Sequence, residues 1–197
     1  MSKRPQDHWG RKAKREGYSA RSVYKLEEID RRARIFRPGM KVLDLGAFPG
    51  SWTTYAANKV APNGRVLGLD IQPPKHAVPA NAEMRRQDVM APDLDEQLGG
   101  VRWDVVMSDM APATSGTRFV DQSRSFALVM RAIEIADRVL VPGGHFVAKI
   151  FQGPDFDEAL RALRARFDDV KIIKPPATRT ESIETFLVGL KFRGAPA

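Results

Sequence analysis

Short apolar runs alternate with helical patterns along almost the whole chain, and this alternation restricts the fold more than any other feature. Lys41-Val-Leu-Asp-Leu45, residues 65–70, a weaker run over 83–87, Trp103 to Ser108 and His145 to Phe151 each read as a short strand. Helical patterns lie between them, over residues 51–60, 93–98 and 121–140, and a further one covers 156–167. Strands separated by helices predict an α/β domain built on a parallel sheet with right-handed crossovers. The last two strands, over 170–174 and 184–190, have only nine residues between them. That connection is too short for a crossover, so the final strand is expected to run antiparallel.

The chain of 197 residues suits one domain with a sizeable core. Residues 18–197 are read as that domain, with a helix from Ser19 or Ser22 to about Ala33. Residues 1–17, polar, basic and without period, are read as a flexible arm. With no cysteine, disulfides and thiolate metal sites are excluded, and the three histidines show no ligand spacing, so no metal is expected. No apolar run is long enough for a membrane helix, and the basic start does not resemble a secretory signal. A cytoplasmic monomer is the expectation.

The net charge of +8 is unevenly placed. Residues 1–41 hold 13 Lys/Arg against 5 Asp/Glu, whereas residues 42–197 hold 19 of each. The excess therefore lies on the arm and first helix. Either it is a solvated tail or it contacts a phosphate backbone, where clustered cations release counterions. Trp9 and Tyr18 among these cations suit stacking on bases.

The first strand leads into Gly46-Ala-Phe-Pro-Gly50-Ser51-Trp52, a glycine turn that opens a helix. Glycines permit a sharp turn and a close backbone approach to a ligand. The pattern is not the Gly-x-Gly-x-x-Gly of dinucleotide enzymes. Asp70, Asp88 and Asp109 end the second, third and fourth strands. They are expected at the carboxyl edge of the sheet, where open α/β folds bind ligands. Asp70 is placed to accept from ribose hydroxyls and Asp88 from an adenine amino group. An adenosine ligand with few phosphates fits such an acidic edge, and S-adenosylmethionine, with its sulfonium cation, is such a ligand. Trp52 either covers that ligand or packs in the core.

Lys149 lies in the apolar run His145-Phe-Val-Ala-Lys149-Ile-Phe151, and a buried lysine needs a partner. By strand direction, Asp109, Lys149 and Glu184 should share one edge, and Lys25 must fold over it from the N-terminal helix. Burial and a neighbouring cation favour a lysine's neutral form, and carboxylates favour its charged form. A lysine so placed is a candidate base for methyl transfer to an alcohol, with a structural ion pair to Asp109 as the plainer reading.

These segments resemble the FtsJ/RrmJ-type ribosomal RNA large-subunit methyltransferases, the RlmE family, over about residues 8–193. The similar segments are Ser19-Ala-Arg-Ser-Val-Tyr-Lys25-Leu, Leu43-Asp-Leu-Gly-Ala-Phe-Pro-Gly50, Ser108-Asp-Met-Ala-Pro112 with Ser115-Gly116, Phe146-Val-Ala-Lys-Ile-Phe-Gln-Gly153 and Glu184-Thr-Phe-Leu-Val. The resemblance implies a Rossmann-like methyltransferase fold with seven strands, mostly parallel, and helices on both faces. It implies S-adenosylmethionine as cofactor and 2′-O-methylation of a ribose, usually a uridine, in large-subunit (23S) rRNA, free or in the ribosomal particle. It carries a Lys-Asp-Lys-Glu tetrad onto Lys25, Asp109, Lys149 and Glu184, with Lys149 as proton acceptor. Gly46, Gly50, Trp52, Asp70, Asp88 and Asp109 become the cofactor residues. Phe48 and Ser51 depart from the family's usual Ala and Gly, and Glu181 is a rival to Glu184. A tRNA or mRNA-cap ribose methyltransferase, a small-molecule methyltransferase and a non-catalytic RNA-binding module on the same fold are the alternatives.

Overall fold

The computed structural model describes residues 8–98, 100–178 and 182–195. Glu181 lies outside the described residues. Seven strands form one sheet: β1 (Lys41–Leu45), β2 (Arg65–Asp70), β3 (Ala82–Arg86), β4 (Trp103–Ser108), β5 (Leu140–Phe151), β6 (Phe167–Ile173) and β7 (Glu184–Phe192). Their order is β3-β2-β1-β4-β5-β7-β6. The first five positions pair in parallel, and β7 pairs antiparallel with both β5 and β6. The short link into β7 therefore reverses the chain, as its length requires.

The central strands have apolar residues on both faces because helices cover both. Alternate residues divide them. Leu43, Leu45, Val106, Phe146, Ala148 and Ile150 belong to one core layer, with α5 (Arg118–Val139) and α6 (Phe156–Arg164). Val42, Val105, Met107, Val147, Phe186 and Val188 belong to the other, with α2 (Val23–Ala33) and α3 (Ser51–Val60). Lys149 continues the Val147 row, so it emerges on the α2–α3 face. A short α4 (Leu94–Gln97) precedes β4.

The N-terminal arm differs from expectation within the described residues. His8–Arg15 forms a helix, α1, instead of flexible chain. Ala13 is buried, and the Trp9 ring stands 5.1 Å from that of Tyr24 on α2. Lys12 Nζ lies 4.3 Å from the Tyr24 ring centroid. Lys12, Lys14 and Arg15 occupy the last turn, where cations complement the helix dipole. Only Trp9 and Ala13 form its apolar stripe, and docking on Tyr24 supplies what local periodicity lacks. Elsewhere the boundaries shift: β5 starts at Leu140 and β6 at Phe167, while α6 stops at Arg164.

Candidate active site

Strand direction brings three charged residues to one edge, and helix α2 brings a fourth. Ser108 at the end of β4 pairs with Ala148, which places Asp109 beside Lys149. In the reversed β7, Phe186 pairs with Lys149 and Glu184 with Phe151. Residues two apart on a strand share a face, so Lys149, Phe186 and Glu184 all point toward α2. Lys25 reaches them from α2.

The four charges form two ion pairs. Lys149 Nζ donates to Asp109 Oδ1 at 2.9 Å and to the Asp109 carbonyl at 2.6 Å, with only 7% of the lysine side chain exposed. Lys25 Nζ lies 2.5 Å from Glu184 Oε1, as a charge contact without the angle of a hydrogen bond. The same ammonium stands 6.0 Å from the ring centroid of Phe186, the cross-strand neighbour of Lys149. Buried charges survive when paired, and each cation here is answered by one carboxylate.

Next to the Lys149–Asp109 pair opens a cavity of about 670 Å³, within the size range of small-molecule sites. Gly46, Asp70, Asp88 and Asp109 line it, so Asp109 is both a cavity wall and the clamp on Lys149. Asp70 Oδ2 accepts the Phe48 N–H at 3.0 Å, and Oδ1 accepts the Gln72 N–H at 2.8 Å. Asp88 Oδ1 accepts the Met90 N–H at 2.8 Å. Each carboxylate is thus fixed by backbone donors while keeping acceptor capacity toward the cavity. Gly46 has φ +79°, and a Cβ there would meet Met110 Cγ at 2.6 Å, so no larger residue fits the turn.

The model of the FtsJ-like methyltransferases matches residues 18–192. The chain belongs to the FtsJ-like methyltransferase family. A protein named ribosomal RNA large subunit methyltransferase E from Nitratidesulfovibrio vulgaris (strain DP4) is 52% identical over 195 residues, covering 98% of this chain and 96% of its own. One of the same name from Sorangium cellulosum is 49% identical over 193 residues, covering 98% and 91%. A crystal structure of a putative ribosomal RNA methyltransferase from Plasmodium falciparum superposes with a TM-score of 0.80 at 22% identity. It covers 90% of this chain and 100% of that one, which is a likeness of fold.

Two of the residues expected at the cofactor do not line the cavity of this FtsJ-like methyltransferase. Trp52 is 3% exposed; its indole N–H donates to the Ser22 carbonyl at 2.9 Å and its ring lies 5.8 Å from that of Phe186. It ties α3 to α2 and packs in the core, because the start of α2 supplies a carbonyl for the indole. Gly50, with φ +103°, serves as the N-cap of α3.

Other site residues gave little sign in the sequence. Asp44, within β1, is fully buried; Oδ2 accepts the Thr53 hydroxyl at 2.7 Å and Oδ1 has no hydrogen-bond partner. Burial pushes its carboxyl up to about 7, against the Thr53 bond, and the charges of Asp109 and Asp70 push the same way. Its position inside an apolar run was the available signal. Ile71 and Met90, 64% and 51% exposed, give the cavity apolar walls beside Asp70 and Asp88. Among the described residues, no cluster of three or more His, Cys, Asp or Glu side chains is placed to hold a metal ion, and no helix is long and apolar enough to cross a membrane.

Proposed function

We propose that this methyltransferase uses S-adenosylmethionine to methylate a ribose 2′-hydroxyl, of a uridine, in large-subunit rRNA, with Lys149 as general base. The observation that carries this reading is the double placement of Asp109, on the wall of the cavity and on the ammonium of Lys149. A cofactor site and a proton acceptor are thereby adjacent. The rRNA substrate is supported by relatives about half identical to this chain that are named for large-subunit rRNA.

The cavity's donor set suits the cofactor. Asp70 is placed to accept from ribose hydroxyls, Asp88 from an adenine amino group, and Ile71 and Met90 to flank a planar base. Three lining carboxylates, Asp70, Asp88 and Asp109, favour a cationic ligand. When bound, S-adenosylmethionine supplies a methyl group on a positively charged sulfur.

Lys149 takes the proton. An alcohol is a weak nucleophile until a base removes its proton as the new bond forms. A neutral amine has two N–H groups and one lone pair. The ammonium paired with Asp109 must first release one proton; the neutral amine would keep its two N–H groups on Asp109 Oδ1 and the Asp109 carbonyl and would have its lone pair left to accept the proton of the 2′-hydroxyl. Glu184 holds Lys25 beside this group, and Lys25 offsets the negative charge of Asp109 and Glu184 near the developing alkoxide. The basic N-terminal region, with its 13 Lys/Arg in residues 1–41, contacts the RNA backbone.

Mapping ribose methylation in total RNA from cells with and without this protein tests the reading. A single 2′-O-methyl uridine lost from large-subunit rRNA supports it. A loss confined to tRNA or mRNA caps, or an unchanged map, contradicts it.

A further inference from the structure

Phe119 is 63% exposed, in the first turn of α5, with exposed Arg118 beside it. A phenyl ring held in water contributes nothing to the core, so its surroundings indicate its use. The start of α5 is docked on the end of the strand that carries Lys149. Gln122, one helical turn after Phe119, donates from Nε2 to the Gln152 carbonyl, and Ser125 Oγ accepts the Phe151 N–H at 3.0 Å. On the other side, Ala111, Pro112, Ala113 and Arg124 line the cavity. Phe119 therefore stands at the start of α5, beside the strand end just beyond Lys149 and outside the lining of the cavity.

This end of α5 is built to hold its shape. Ser115 gives its N–H and its hydroxyl to Asp121 Oδ1, at 2.7 and 2.9 Å, and Arg124 reaches the Ala113 carbonyl at 3.3 Å. Asp121, the acid of this turn, is buried and engaged by Ser115, and its carboxyl is held below the usual range by those bonds. The exposed charges at this end of α5 are those of Arg118, next to Phe119 in the chain, and Arg124, about a turn and a half further on. An exposed aromatic on a helix start that carries two exposed cations matches a polyanion with flat faces, as in single-stranded RNA, where bases stack on aromatic side chains and arginines attend the phosphates.

We infer that Phe119 is a stacking platform for an unpaired base flanking the methylated nucleotide, holding the target ribose over Lys149. This inference rests on the RNA 2′-O-methyltransferase reading. Phe119 acts by positioning the RNA and takes no part in the proton transfer.

Four proteins test it: the wild type, Phe119→Tyr, Phe119→Leu and Phe119→Ala. Each is assayed for S-adenosylmethionine affinity by calorimetry and for affinity and KM toward unmethylated large-subunit rRNA and the isolated large subunit. Phe119→Tyr keeps RNA affinity, whereas Phe119→Leu and Phe119→Ala lose about 5- to 150-fold, the range that one base–aromatic stack supplies. Cofactor affinity stays the same in all four. Wild-type RNA affinity in Phe119→Leu would show that an apolar contact suffices and overturn the inference, as would an unchanged Phe119→Ala. A loss seen with the subunit but not with bare rRNA would assign the ring to a protein partner and also overturn it. A wild type that binds no RNA at all would instead remove the reading beneath it.

Discussion

Replacing Asp44 by Asn should flatten one part of the protein's pH–stability curve, and the size of the effect follows from the site. Asp44 is fully buried, with one oxygen on the Thr53 hydroxyl and the other without a partner, in the field of Asp109 and Asp70. Its carboxyl rises from an ordinary 3.8 to about 7 in the folded protein. The folded state thus binds this proton more tightly than the unfolded chain does. The resulting stability is fully present below about pH 4 and is lost as pH rises through 7. At about 1.4 kcal/mol per pH unit, roughly 3 kcal/mol disappears between pH 5 and 8. Asn cannot ionise, so the variant escapes that loss. Its amide also places an N–H where Oδ1 lacks a partner, which adds an offset of about 1–3 kcal/mol that does not vary with pH. Denaturant unfolding of the ligand-free wild type and Asp44→Asn at pH 5, 6, 7 and 8 isolates the pH-dependent part. The variant should gain on the wild type by about 3 kcal/mol over that span, roughly 10 °C in melting temperature for a chain of this size. Parallel curves would refute the assignment of a neutral acid beneath the glycine turn.

Asp70→Ala should weaken S-adenosylmethionine binding by about 10- to 100-fold, since it removes a charged acceptor and frees the Phe48 and Gln72 amides; unchanged calorimetric affinity would remove its ribose role. Trp52→Phe should lower stability by about 1 kcal/mol through the lost Ser22 bond while leaving cofactor affinity intact; a large loss of affinity with no loss of stability would return Trp52 to the ligand. Changing Lys14 and Arg15 together to Gln leaves the packed side of α1 untouched, since both are exposed. If each contacts a phosphate, the slope of log affinity against log salt for RNA should fall by roughly 1.4 to 1.8. The same slope as wild type would make α1 an idle basic helix.

Features that depend on strand direction were legible in the sequence. Asp109 and Lys149 each end an apolar strand run, so a parallel sheet sends them to one edge, and the nine-residue link reverses Glu184 onto it. Features that depend on what packs above the sheet were not. The role of Trp52 turns on a carbonyl at the start of α2, and the state of Asp44 turns on how completely α3 covers it. Helix α1 has two apolar positions, too few for a periodic signal, and forms by docking on Tyr24. Ile71 and Met90 look like ordinary exposed residues until the cavity between their loops is seen.

The proposed mechanism turns on Lys149 accepting the ribose proton. Lys149→Ala answers it most directly when calorimetric S-adenosylmethionine binding and single-turnover methylation of large-subunit rRNA are measured on the same preparation. Cofactor binding should stay close to wild type while methyl transfer slows by about 100-fold or more. Methyl transfer at the wild-type rate in a protein without that amine would contradict it.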